Sequence, residues 1–283
     1  DAMNNSVQTT GQKLGKVVMF IVLLIMGLVT IFPIAFMFMN SFKSQAEIVD
    51  SPLALPKEIT FKYISHAMTE IKLVPSILLT VLITVLAVGF IVILSSSAAW
   101  MMVRVRSKFA MFVLLLFTSS MLIPFQAVMY PLISMFENVG LKNVPGLIIM
   151  YGGFGLAMST FLYHGFMKSV PASLEEAAII DGASVFQVYF KIVMPLVKPT
   201  TVTVIILNAM WVWNDYLLPF LVLGDSENKT LTLALYYAKM KDGPYSVPWD
   251  LMFPAVLITV IPVIILFLFL QKQIIKGMAD GAV

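Results

Sequence analysis

The sequence has no cysteine, only two histidines and few charges, with 15 acidic and 18 basic side chains in 283 residues. Without cysteine there is no disulfide, no thiolate metal site and no thiol nucleophile. His66 and His164 are too few for a metal cluster, and no serine, histidine and carboxylate fall in a pattern suited to nucleophilic catalysis. A net charge of +3 is too small for a nucleic-acid binder. Charged residues make up 12% of the chain, where a soluble domain carries about 25%. What replaces them is apolar: 60% of the residues are hydrophobic and twenty are methionine, the flexible filler of apolar cores.

Uncharged runs reach the roughly 20 residues that one bilayer crossing requires. The fold class expected is therefore an all-α membrane protein with six transmembrane helices. The spans are Val17–Met39, one within Leu73–Val103, Phe109–Phe136, Val144–Met167, Pro199–Gly224 and Leu251–Gln271. The first run is too long for the apolar core of a signal peptide, so no cleavable leader is expected. Prolines at 33, 124, 131, 254 and 262 predict kinked helices around a shared cavity. No internal repeat of the secondary-transporter kind is evident.

Six crossings put both termini on one side, with ten basic residues there and eight opposite. The tight loop Arg104–Lys108 holds both arginines of the chain, and basic short loops face the cytoplasm. Residues 1–16 are thus read as a cytoplasmic segment and 17–283 as the six-span domain, with a cytoplasmic tail at 272–283. The outer loops are 40–72 and 225–250. In the first, Phe61, Ile64, Met68 and Ile71 recur at helical spacing and predict an amphipathic helix on the outer face. The second is polar and aromatic.

Between the fourth and fifth spans, residues 171–198 break the apolar pattern with "PASLEEAAIIDGAS". Ser173 and Glu176 have capping-box spacing, which starts a helix after Pro171. Gly182 is placed to end it. Ser184 then caps a second helix that reaches Met194, before Pro195. As a membrane span, Glu175, Glu176 and Asp181 would each cost about 2.5–3.5 kcal/mol, so the segment stays in the cytoplasm. An amphipathic hairpin lying on lipid is one reading, disfavoured by three acids beside a negative leaflet. A docking peg is the other, with alanines for close approach and acids for a basic partner.

Glu176-Ala177-Ala178, then Gly182, then Ile192 and Pro195, resembles the cytoplasmic "EAA" signature of ABC importer membrane subunits, E-A-A-x-x-x-G, nine residues, I-x-L-P. Met194 stands where leucine is usual, a swap of similar volume. "FPIAFMFMNSFKS", "WNDYLLPFLVL" and "LQKQIIKGMADGAV" are similar to the carbohydrate-uptake branch, the maltose-transporter-like permeases. Pro75-Ser76 departs from the Asn-Ser common there. The resemblance implies a bacterial cytoplasmic (inner) membrane permease with a cytoplasmic coupling helix between the fourth and fifth spans. Its implied partners are a second homologous permease subunit, two ATPase subunits, an extracellular or periplasmic sugar-binding protein and the lipid bilayer. It also implies that Glu176 faces a basic ATPase residue, with Ser173, Glu175, Ala177, Ala178, Asp181 and Gly182 in or beside the contact. The only Gly-Lys pair, Gly15-Lys16, lacks the rest of a phosphate-binding loop. ATP and magnesium are therefore expected on the partner ATPase, and no cofactor is expected in this chain.

Asp215 is the one acid inside a span, beside Trp211, Trp213 and Asn214. Intramembrane carboxylates face a bundle interior or water, and tryptophan beside amides suits a sugar. Interfacial packing suits the same residues. Candidate pathway residues are Tyr151, Gly152, Asn208, Trp211, Asn214 and Asp215. The glycines at 152, 153 and 155 allow close helix approach or an unwound stretch. The alternatives are an ion-coupled secondary transporter, for which only Asp215 is available, and an ABC permease for a non-sugar solute such as a glycerol-phosphate-type compound.

Overall fold

The computed structural model describes residues 10–241, 243 and 245–280, and its regular elements are all helical. In chain order they are α1 (Thr10–Asn40), α2 (Gln45–Asp50), α3 (Lys62–Glu70), α4 (Leu73–Val105), α5 (Lys108–Ser120), α6 (Phe125–Asn138) and α7 (Val144–Met167). They continue with α8 (Ala172–Ile180), α9 (Val185–Val188), a π-helical turn (Tyr189–Val193), α10 (Met194–Leu196), α11 (Lys198–Asn214), α12 (Leu217–Leu223), α13 (Leu231–Met240) and α14 (Trp249–Asp280). Of the N-terminal segment 1–16, residues 1–9 lie outside the described residues, as do 281–283 of the tail.

The described residues up to Glu70, with Ala238–Val260, form one compact unit. Its first helix shows none of its apolar window buried. An all-round apolar helix needs lipid or another subunit about it. The chain then turns through a buried polar knot of Asn40, Ser41 and Lys43. Asn40 Nδ2 donates to the carbonyls of Phe36 and Pro52. Lys43 Nζ donates to those of Ser51 and Pro52, at 3.1 and 3.3 Å. A helix forms in this loop as expected, α3, with its buried side set at Ala67 and flanked by half-buried Tyr63 and Ile64. Phe61 and Met68 of the expected stripe are exposed.

Ile71–Tyr237, with the residues from Ile261, form the second unit. Here α4 and α7 pack side by side, and α11 lies against both. Small residues set the spacing: a Cβ at Gly152 would lie 2.3 Å from the Phe90 ring, and one at Gly155 2.3 Å from Ile91. Close approach, rather than unwinding, is how Gly152 and Gly155 are used in an unbroken α7, while Gly153 has open space beside it.

Leu14–Asn40, α4 and α7 are long and apolar enough to cross a membrane, and up to five spans result if each bent helix pair counts as one. The expected third span, Phe109–Phe136, is not one helix, because α5 and α6 meet at 105°. Pro124 lacks an N–H and pushes its predecessor out of the helical region, which ends α5's continuation. The expected fifth span, Pro199–Gly224, breaks at Asp215, the one acid inside it. Asp215 is extended, and its Oδ1 accepts from Leu217 N at 3.0 Å to start α12. The second expected outer loop, 225–250, holds a helix, α13. Leu231, Ala234 and Ala238 share the buried side of α13.

Candidate functional site

The acidic segment builds one site. Pro171 occupies the cap position of α8 in extended conformation, and no side chain caps the helix. The Ser173–Glu176 capping box is therefore absent, because α8 starts two residues too early for Ser173 to sit outside it. The box appears instead one helix later, where Ser184 and Gln187 cap α9 reciprocally. Gly182 ends α8 as expected, at φ +87°. Gly182 N donates to Ile179 O, and Ala183 N to Ala178 O at 2.9 Å, the paired closure that a left-handed glycine permits.

The two adjacent glutamates face opposite ways. Glu175 is 6% exposed. Its Oε1 accepts from Arg104 Nη2 at 2.6 Å and from Nε at 3.0 Å, while Oε2 accepts from Trp100 Nε1 at 2.9 Å. Arg104 Nη2 also donates to the Val170 carbonyl. Two further contacts tie the segment to α4. The Tyr189 and Ser96 hydroxyls lie 2.6 Å apart, and the Tyr189 ring packs against Trp100. Glu176, Ser173, Ala177, Asp181 and Gly182 are exposed, and Ala178 is half-buried. Around them Ile180 is 84% exposed and Phe186 77%, with Leu174, Ile179 and Val185 also open. Arg104 was legible as a charge-orientation signal but not as the partner of Glu175, since 71 residues separate them.

The intramembrane candidates divide. Tyr151 is buried and its OH donates to Asp215 Oδ2 at 2.9 Å; its ring meets Trp211 edge-on. The Asp215 carbonyl accepts from Thr232. Buried Asn208 donates to Ser159 Oγ and to Val204 O, between α7 and α11. Tyr151, Gly152, Asn208 and Asp215 thus all make contacts that join helices. Trp211 and Asn214 are exposed. A cavity of about 680 Å³ opens among α5, α6, α7 and α11, lined by Ser120, Gly153, Phe154, Asn208 and Trp211 among others. A second, of about 470 Å³, lies beside α4, α11 and α14, with Thr84, Trp213, Asn214 and Pro262 in its wall. Thr84 Oγ1 and Trp213 Nε1 there lack a hydrogen-bond partner among the described residues. Nothing in residue spacing marked Thr84, since threonine in a span usually bonds its own backbone. His66 is exposed and His164 buried.

Residues 91–280 match the family model described as "Binding-protein-dependent transport system inner membrane component". Over 260 residues the chain is 37% identical to the "Probable starch degradation products transport system permease protein" of Thermoanaerobacterium thermosulfurigenes, covering 92% of this chain and 94% of that one. It is 34% identical over 268 residues to the "Multiple sugar-binding transport system permease protein" of Streptococcus mutans, covering 93% and 95%. In fold it is similar to a chain of a bacterial ABC transporter involved in the import of the acidic polysaccharide alginate. That likeness has a TM-score of 0.80 at 24% identity over 95% of this chain and 99% of that one.

Proposed function

The chain belongs to the family of binding-protein-dependent transport system inner membrane components, and from that premise we propose the following working. It is a permease subunit of an ATP-driven importer and forms half of the pathway for a sugar or oligosaccharide. Its relatives named for starch degradation products and for multiple sugars support the sugar reading. Six crossings follow if α5–α6 make one span and α11–α12 another, with α1, α4, α7 and α14 the remaining four. The loop bearing Arg104–Lys108 and the α8–α9 segment then face the cytoplasm, with both termini.

The observation that carries the mechanism is the exposed apolar rim on a segment anchored from beneath. Ile180, Phe186 and Val185 in an aqueous loop are open surface awaiting a protein. An ATPase subunit covers this rim, and Glu176 meets a basic group on it. When two ATPase subunits close on ATP, the movement passes through Glu175 and Arg104 into α4. The 680 Å³ cavity then changes the side to which it opens. Trp211 offers a ring face to a passing sugar, Tyr151, Gly152, Asn208 and Asp215 hold the helices around it, and Asn214 lies in the wall of the second cavity. A second homologous permease supplies the other half, and an external binding protein delivers the solute to the loops at 40–72 and 225–250. Asp215, engaged by Tyr151 and Leu217, is poorly suited to carry a proton or sodium ion, which argues against ion coupling.

Reconstituted with its partners, Glu176→Lys should cut binding-protein-stimulated uptake about tenfold or more, the effect of one lost charged contact of roughly 1.4 kcal/mol. Uptake and ATPase coupling that both survive the change would sink the docking assignment.

A further inference from the structure

A basic pocket lies where α4, α5 and α7 meet, at the end of α4 that carries Arg104. Its volume is about 440 Å³, and Arg104, Arg106, His164 and Lys168 line it together with apolar Met111 and Leu114. Three cationic side chains with almost no counter-charge should not gather without a reason. Glu175 neutralises one side of Arg104 only, and Arg104 Nη1 has no protein partner among the described residues. Arg106 and Lys168 make no ion pair among the described residues. Arg106 also holds a left-handed backbone, φ +46°, which costs a non-glycine residue about 1 kcal/mol. That turn brings the chain from α4 into α5, where Ser107 caps the helix.

The geometry points to a site for the phosphate headgroup of an anionic phospholipid. Guanidinium and ammonium groups supply the donors that a phosphate requires. The apolar part of the wall distinguishes a lipid from free phosphate. Met111 is 58% exposed, and α5 has no buried residue along its length. An acyl chain can follow that open apolar face from the pocket, whereas a free ion gains nothing from it. Basic pockets between membrane helices on the cytoplasmic side are suited to such headgroups. The leaflet assignment rests on the cytoplasmic placement proposed above; the lipid chemistry does not. Because Arg104 serves both the pocket and Glu175, an occupied pocket stiffens the anchor of the α8 segment from below.

The test uses the intact complex in detergent, with native mass spectrometry of retained phosphatidylglycerol against phosphatidylcholine. Each basic group beside an anionic lipid is worth about a fivefold gain in binding. The Arg106→Gln/Lys168→Gln pair should therefore retain phosphatidylglycerol roughly twenty-five-fold less tightly. The charge-conserving pair Arg106→Lys/Lys168→Arg should keep it. Wild-type complex should prefer phosphatidylglycerol and lose little of it to millimolar inorganic phosphate. Equal retention of both lipids by wild type, displacement by inorganic phosphate, or undiminished retention in the neutral pair would each overturn the site. The wild-type comparisons decide the matter even if a variant does not assemble. Since none of these readouts requires transport, they stand apart from any failure of the coupling assignment.

Discussion

Glu175 and Glu176 are neighbours of the same type with opposite surroundings. Glu175 has its carboxylate inside, shared among Arg104 and Trp100, and Glu176 has its carboxylate in solvent. Removing Glu175 leaves the half-buried Arg104 guanidinium without its counter-charge and Trp100 Nε1 without its acceptor, at a cost of about 1–3 kcal/mol. Glu175→Ala should thus lower the melting temperature of the detergent-solubilised permease by several degrees and open residues 171–184 to protease. A surface change such as Glu176→Gln should alter stability by less than about 0.5 kcal/mol. Equal melting temperatures for Glu175→Ala and wild type would remove Glu175 from the role of anchor. The sequence placed both residues in one motif and held no signal of which way each points. That depends on the helical phase of α8 against α4, which a packing contact decides.

At the scale of elements, the α8–α9 hairpin depends on its closing glycine. Gly182 takes φ +87° with nothing within 4 Å of where a Cβ would stand, so a side chain there meets backbone strain rather than a clash. Gly182→Ala should cost roughly 1 kcal/mol and show as faster amide exchange at Ala183, whose N–H closes the turn. Unchanged exchange there would mean the hairpin is held by its contacts to α4 alone. The glycine and the second cap at Ser184 were both legible, because each is a local rule of backbone geometry. The 105° bend between α5 and α6 was not. A proline in a span predicts a kink, but its size depends on what the flanking helices pack against.

For the molecule as a whole, the proposed topology places the α8 segment and the α12–α13 connection on opposite faces of the membrane. The native chain has no cysteine, so single introduced thiols report cleanly. Ser173→Cys should react with an impermeant maleimide only from the cytoplasmic face, and Ser226→Cys only from the outer face. Labelling of both from one face would refute the span count between them. The exposure of the apolar window of α1 belongs at this scale too, since an apolar stretch without a buried face finds its contacts in lipid or in another subunit.

By itself the sequence determined the class of the molecule. Apolar run length, scarcity of charge and the spaced acidic signature are local quantities, and each follows from the cost of placing polar groups in hydrocarbon. Tertiary structure decided which of the named residues are free to act. It turned Glu175 inward and left Glu176 out. It used Tyr151, Gly152 and Asp215 to join helices, and it opened a cavity beside Trp211. The reason is that exposure and pairing depend on partners distant in the chain. Arg104 and Glu175 lie 71 residues apart and Tyr151 and Asp215 lie 64 apart, separations that no helical period records.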